Sequence, residues 1–446
     1  MNNQINKKSI LSSFALIILF TSISAGQVAN DKMRLTTDSL SLKTVIQQVI
    51  STYPSVKVAE EAIRNADSRI GLAKTGYNPT VDMTASFANL APVTKLSFPG
   101  LGNFQLYPGN NYSASVNFQQ LVYDFGRTHQ NVELENENKA IGEQTLEQVK
   151  QKLSLYTINS YYTLLFLQAA IKIKDEQLST LNEHLQYIEK VMATGSATEY
   201  QVLTTKVRIS SVENQKVDLI AALKTQQATM NSLLGIDQTN KPVVRYELSV
   251  EPPAVQSDSI LSFAFRNRDE VLINEKRATL AELRYGMTKL QNKPLLNLQA
   301  SGGAKNGYIP YLNRLTPNYV IGLGLRVPIY DGMKNKYNIS QAQSAITSLS
   351  YESDYTKRNI SNEVYESEAL LFAASKKVSQ SELQLTQALK AYSLAETSFK
   401  SGIITNLDLL DANTSVSESN LMLLKAKIDY AASVYKLKAA LGERIY

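Results

Sequence analysis

Leu121-Val122-Tyr123-Asp124-Phe125-Gly126 closes a run of alternating apolar and polar residues, and its pattern returns as Pro328-Ile329-Tyr330-Asp331-Gly332. The two Tyr-Asp pairs are 207 residues apart, as are Gly195 and Gly402, and as are Leu234-Gly235 and Leu441-Gly442. One spacing kept by three separate landmarks marks a duplicated unit. Upstream, Pro79 and Pro294 are 215 residues apart, so the first copy carries eight extra residues before its Tyr-Asp.

Working outward from Tyr-Asp, the period of the pattern changes. Before it lie two stretches of period two: Val81, Met83, Ala85 and Phe87, then Tyr112, Ala114, Val116 and Phe118, each set alternating with polar or small residues. Leu296, Leu298 and Ala300, then Tyr319, Ile321, Leu323 and Leu325, repeat this in the second copy. Such runs predict strands with one apolar and one polar face. After Tyr-Asp comes a helical pattern of roughly 70 residues without Pro, about 100 Å long at the α-helical rise, too long to flank a small globule. Late in the first such helix, Leu178, Leu181, Leu185, Ile188 and Met192 step by three and four, a coiled-coil seam. Tyr161 to Ile173 is apolar nearly all round and predicts cover on more than one side.

The expected division is a secretory leader at 1–26, a first repeat at 27–235, a connector at 236–257 and a second repeat at 258–446. The first repeat has a helical segment over 39–76 broken at Tyr53-Pro54, a hairpin at 79–123, a long helix at 125–194 and a return helix at 198–234. The second has one helix over 260–291, a hairpin at 294–330, a long helix at 333–400 and a return helix at 405–442. The leader reads from Lys7-Lys8, an apolar run from Ile10 to Phe20 and small residues ending at Gly26. Its removal leaves 44 basic against 40 acidic residues, a mild balance without a basic tract, so nucleic acid is not the implied partner.

There is no Cys, so no disulfide, thiolate zinc site or acyl-cysteine anchor is available. Two His, His129 and His184, make a His-built metal centre improbable, and His184 in its charged stretch reads as solvated. Asp124-Phe125-Gly126 lacks the Gly-rich loop and catalytic loop that would make it a kinase motif. No nucleophile–base constellation stands out, so the expectation is a non-enzyme with no catalytic residue, metal or cofactor. After the leader, no apolar run is long enough for a membrane helix; membrane entry would have to use strands. Four strands with an apolar face cannot lie open in lipid and must close with strands of other copies.

At this point the chain resembles the TolC-type outer membrane efflux protein family, over essentially the whole mature sequence. The motifs are Val122-Tyr123-Asp124-Phe125-Gly126, Val327-Pro328-Ile329-Tyr330-Asp331-Gly332 and Gly402-Ile403-Ile404-Thr405-Asn406-Leu407-Asp408-Leu409-Leu410-Asp411-Ala412. The resemblance implies a homotrimer, mainly α with membrane β. Each two-repeat protomer gives four strands to a shared 12-stranded barrel, continued by a long helical coiled-coil barrel. It implies an outer membrane exit duct in lipid, reaching into the periplasm and served by a periplasmic adaptor and an inner membrane pump. By position, Asp408 and Asp411 match the ring that closes the periplasmic end, where crowded carboxylates attract cations. Gly195, Ser196, Gly402 and Ile403 match tip turns that meet the adaptor. Tyr123, Asp124, Gly126, Tyr330, Asp331 and Gly332 match structural strand-to-helix junctions. Gln201 and Thr204 stand in the first repeat where Asp408 and Asp411 stand in the second, so one tip is acidic. Phe399 and Ile404 replace the family's latching Tyr and Arg. A type I protein secretion duct shares every one of these features. A periplasmic coiled-coil scaffold or adhesin is the reading from a different class.

Overall fold

A computed structural model describes residues 39–100, 102–253 and 259–446; the leader and its cleavage point lie outside them. Helices α1 (Leu42–Thr52) and α2 (Pro54–Lys74) meet at Tyr53, whose extended backbone (φ −69°, ψ 131°) is what a following proline demands. Then come β1 (Thr80–Asn89), β2 (Lys95–Phe98), β3 (Gly102–Gln105) and β4 (Asn110–Tyr123). Helices α3 (Arg127–Ala193) and α4 (Glu199–Leu234) complete the first repeat. The second holds α5 (Ile260–Asn267), α6 (Asp269–Leu290), β5 (Leu295–Lys305), β6 (Thr316–Arg326), α7 (Lys334–Lys400) and α8 (Asn406–Leu441).

The sheet is antiparallel in the order β1-β4-β5-β6. Its register preserves both faces across all four strands. Val81, Phe118, Ala300 and Ile321 form one apolar row, and Met83, Val116, Gly302 and Tyr319 the next. The opposite face is a hydroxyl and amide ladder: Thr84 bonds Ser115 at 3.1 Å, Ser86 bonds Ser113 at 2.7 Å, and Asn117 donates to Asp82 at 3.2 Å. The apolar side chains are left uncovered; Tyr319 is 80% exposed and Leu323 70%.

Both strand-to-helix junctions share one device. Asp124 accepts from the Gly126 amide (2.9 Å) and the Thr128 amide (2.7 Å), and Asp331 accepts from the Asn335 amide (2.9 Å). Two consecutive left-handed residues then aim the helix: Phe125 and Gly126 in the first repeat, Gly332 and Met333 in the second. The long helices therefore start at Arg127 and Lys334, slightly later than the alternation alone suggests.

Helix α3 is the spine. Beside the sheet it packs between α2 and α6; farther away it packs between α4 and α8; α7 lies against α6 and α8. Where α1, α4 and α8 cover α3, Ile158, Tyr161, Tyr162, Leu164, Leu165 and Ala170 are buried in the main core. The Tyr161 hydroxyl donates to the Arg245 carbonyl (2.7 Å), which ties the connector after α4 to the spine.

Two expectations need correction. The single helix read over 260–291 is broken at Arg268, with φ −70° and ψ 127°, nearly the geometry of Tyr53. No proline forces this break. Arg268 is held by Glu270 (2.9 Å), Glu363 (2.8 Å) and the Ala440 carbonyl (3.2 Å). The Pro-, Gly- and Asn-rich segment between β1 and β4, expected to be a loop, contains the two-stranded β2–β3 hairpin turned at Pro99-Gly100.

The break is also where α8 ends. Gly442 and Gly235 are both left-handed C-caps, at φ 79° and 68°. A Cβ on Gly442 would lie 2.6 Å from the Asn267 carbonyl carbon, whereas one on Gly235 would meet nothing within 4 Å. Gly235→Ala should cost about 1 kcal/mol for the left-handed backbone. Gly442→Ala should cost roughly 1–3 kcal/mol more for the overlap. Urea midpoints of the two purified variants measure the difference; equal losses would refute the steric argument.

Candidate functional site

The end of the molecule far from the sheet consists of two helical turns, α3 to α4 and α7 to α8. Each first helix closes on a left-handed glycine. Ser196 N donates to Val191 O (3.0 Å) around Gly195, and Ile403 N to Ser398 O (2.9 Å) around Gly402. Thr198 and Thr405 then cap the return helices, each in a reciprocal capping box.

This geometry separates the roles of the two aspartates. Asp408 Oδ2 accepts from the Thr405 amide (2.8 Å) and hydroxyl (2.7 Å), the job Gln201 does in the first repeat. These bonds from Thr405 hold its carboxyl below the usual range, opposite to the rise that crowding with like charges produces. The spacing Thr405-x-x-Asp408 is itself the sequence sign of a capping box. Asp411 has no such local task. Its Oδ1 lies 2.7 Å from Arg208 Nη2 on α4, and it is the more exposed partner, at 61% against 29%. Within the protomer, Asp408 is therefore committed to its own helix end and Asp411 is tied across to the other hairpin.

Sequence reasoning missed the most connected residue at this end. Asn406, at the first position of α8, is 3% exposed. Its Nδ2 contacts Gln201 O (3.2 Å), Thr204 Oγ1 (3.3 Å) and Thr205 Oγ1 (3.2 Å), and His184 Nε2 lies 2.7 Å from its Oδ1. His184 is thus not a solvated residue, as its charged surroundings suggested: it joins α3 to α8 and stands edge-on to Phe399 at 5.3 Å. Its only local signal was its place one turn from the Leu181–Leu185 seam.

Between the tip and the main core, the contact between α3 and α8 carries buried polar groups. Lys174, 5% exposed, donates to Gln177 Oε1 (3.0 Å) and Ser417 Oγ (3.3 Å). Burial pulls its ammonium below the ordinary lysine range, and Glu418 partly opposes this. Leu181, Ile209, Val212 and Leu410 form a small buried apolar cluster in this half, and Ile188, Val202 and Leu409 are buried nearer the tip. Among the described residues no group of three or more His, Asp or Glu could hold a metal ion, and no helix is long and apolar enough to cross a membrane.

The family model described as outer membrane efflux protein matches residues 45–236 and 261–443. Nodulation protein T of Rhizobium leguminosarum bv. trifolii is 23% identical over 417 residues, covering 90% of this chain and 85% of that protein. The alkaline protease secretion protein AprF of Pseudomonas aeruginosa is 21% identical over 341 residues, covering 75% of this chain and 70% of AprF. Among solved structures, CusC superposes with a TM-score of 0.77 at 18% identity, covering 90% of this chain and 92% of CusC.

The Asp408 bonds carry a pH consequence. A carboxyl whose folded pKa is depressed contributes stability above its unfolded value, about 3.9, and loses it as pH falls through the folded value. Asp408→Asn should lower the urea midpoint at pH 7 and change it little well below pH 4. An undiminished gap at low pH would show that the carboxylate is not what holds the cap.

Proposed function

This chain belongs to the outer membrane efflux protein family, and on that footing we propose that it is the exit duct of a tripartite efflux pump: a homotrimer seated in the outer membrane by its strands, with its helices in the periplasm. The observation that carries the reading is the pair of unpaired sheet edges. Strands β1 and β6 end the sheet, and its apolar face is bare. In lipid such edges must pair, and head-to-tail pairing of β6 with β1 of the next copy closes a ring. Three copies give twelve strands.

The helices support the same arrangement. The row of helices ends in α2 and α4 on one side and α7 on the other, matching the β1 and β6 edges. Tyr337, Tyr351, Tyr365 and Phe372 fall on one heptad position of α7 and are all exposed; Val58 and Leu72 are exposed on α2. These are the surfaces that a neighbouring copy covers. The polar sheet face then lines the lumen, and the tips point into the periplasm toward an adaptor and, through it, an inner membrane pump.

Gating falls to the second hairpin. Asp408 and Asp411 give six carboxylates per trimer to attract cations, Asp408 also shaping the turn and Asp411 also pairing with Arg208. Asn406 and the Arg208–Asp411 pair hold α8 against α3 and α4. The likeness to AprF, named for protease secretion, keeps a secretion duct as the second reading, and the two differ only in the pump and adaptor served.

Protein extracted from outer membranes in detergent should have three times the protomer mass by light scattering; a detergent-free soluble monomer would sink the duct reading. In planar bilayers, Asp411→Asn should weaken block by a multivalent cation added at the tip side, and Asn406→Ala should raise resting conductance several-fold. An unchanged block and conductance in both variants would remove the gate assignment.

A further inference from the structure

The strand-bearing segments are almost free of acid. No Asp or Glu lies between Asp82 and Asp124, or between Glu282 and Asp331. On the polar sheet face the register leaves three charged side chains: Asp82, Lys305 and Arg326. Asp82 and Arg326 stand toward the helices. Lys305 ends β5 at the far end, in the row Ser86, Ser113, Lys305, Thr316, whose other members are all hydroxyls. Its same-face neighbour two residues back is Gly303, so nothing along the strand covers its stem. Its ammonium sits 5.3 Å from the centroid of the Tyr308 ring.

Arg314 and Lys95 join it at that end. Arg314 stands two residues before Thr316, the ladder partner of Lys305. Lys95 is on β2 in the other loop. The two loops are pinned together by buried Asn306, which donates to Asn110 O (2.7 Å) and accepts from the Tyr112 amide (2.8 Å). All three cations are exposed, and among the described residues none has a carboxylate within ion-pair distance.

We propose that Lys305 and Arg314 of each copy form an anion-binding ring at the exterior mouth, so that the exit favours cargo bearing carboxylate, phosphate or sulfate groups. The inference rests on the barrel reading, which places the polar face in the lumen. Cations without counter-charges in a narrow passage with low-dielectric walls focus the field and raise the local concentration of anions. They also oppose re-entry of cations from outside. The acidic tip and the basic mouth then give the duct opposite signs at its two ends.

The test uses inorganic tripolyphosphate on the full-length protein in planar bilayers. Block from the exterior side should need about tenfold less anion than block from the tip side, and Lys305→Gln with Arg314→Gln should remove that difference. Lys289→Gln, a cation lost at the helical end of the sheet, should leave it intact. Equal block from both sides in wild type, or the same loss in the Lys289 variant, would overturn the ring. If wild type carries no current, the duct reading fails, and calorimetry of tripolyphosphate binding to the detergent-purified protein decides the ring by itself. Binding about tenfold weaker in the double variant supports the ring, and equal binding overturns it.

Discussion

Backbone amides and carbonyls on the outer edges of β1 and β6 have no strand partner among the described residues, and lipid offers none. Each polar group left bare in hydrocarbon costs several kcal/mol, more than any single side-chain contact returns. The rest of the architecture can be read as compliance with that constraint. The register keeps the charged side chains of all four strands off the face that carries Val81, Met83, Phe118, Ile321 and Leu323, so the sheet can join its neighbours without burying a charge in lipid. The helical layer ends on the same two sides as the sheet, so one head-to-tail operation satisfies both.

Duplication supplies most of the parts, and divergence supplies the polarity. The two junctions use the same Asp and the same pair of left-handed residues. Yet glycine holds the second place in one copy (Gly126) and the first in the other (Gly332). A non-glycine residue there, Phe125 or Met333, costs about 1 kcal/mol, which the fixed Asp hydrogen bonds offset. At the tips the copies differ where it matters for charge. Gln201 and Asp408 cap in the same way, but Thr204 bonds its own helix while Asp411 reaches Arg208.

Much of this was legible in the sequence because it is periodic. The 207-residue spacing, the period-two runs and the unbroken helical patterns are local signals that tertiary structure did not override. The break at Arg268 was not legible, because two of the groups that hold it, Glu363 and the Ala440 carbonyl, lie far along the chain. Tyr53 was legible only because a proline follows it. At the tip, the Thr405–Asp408 spacing is a legible sign of a cap that the reading of two like carboxylates did not use. The His184–Asn406 bond joins residues more than two hundred positions apart and leaves no local trace.

Between the tip and the main core, the contact between α8 and α3 carries the buried polar groups Lys174, Gln177, Asn413 and Ser417 beside the small apolar cluster of Leu181, Ile209, Val212 and Leu410. Polar groups of this kind exchange one another for water at little net cost. Swinging only this first part of α8 away would hydrate amides, an ammonium and a few apolar side chains, so its heat-capacity change would be small beside that of unfolding the main core. The balance between the docked and displaced positions of this hairpin would then vary gently with temperature, while the main core around Tyr161 and Tyr162 follows the steep curve of an ordinary folding transition.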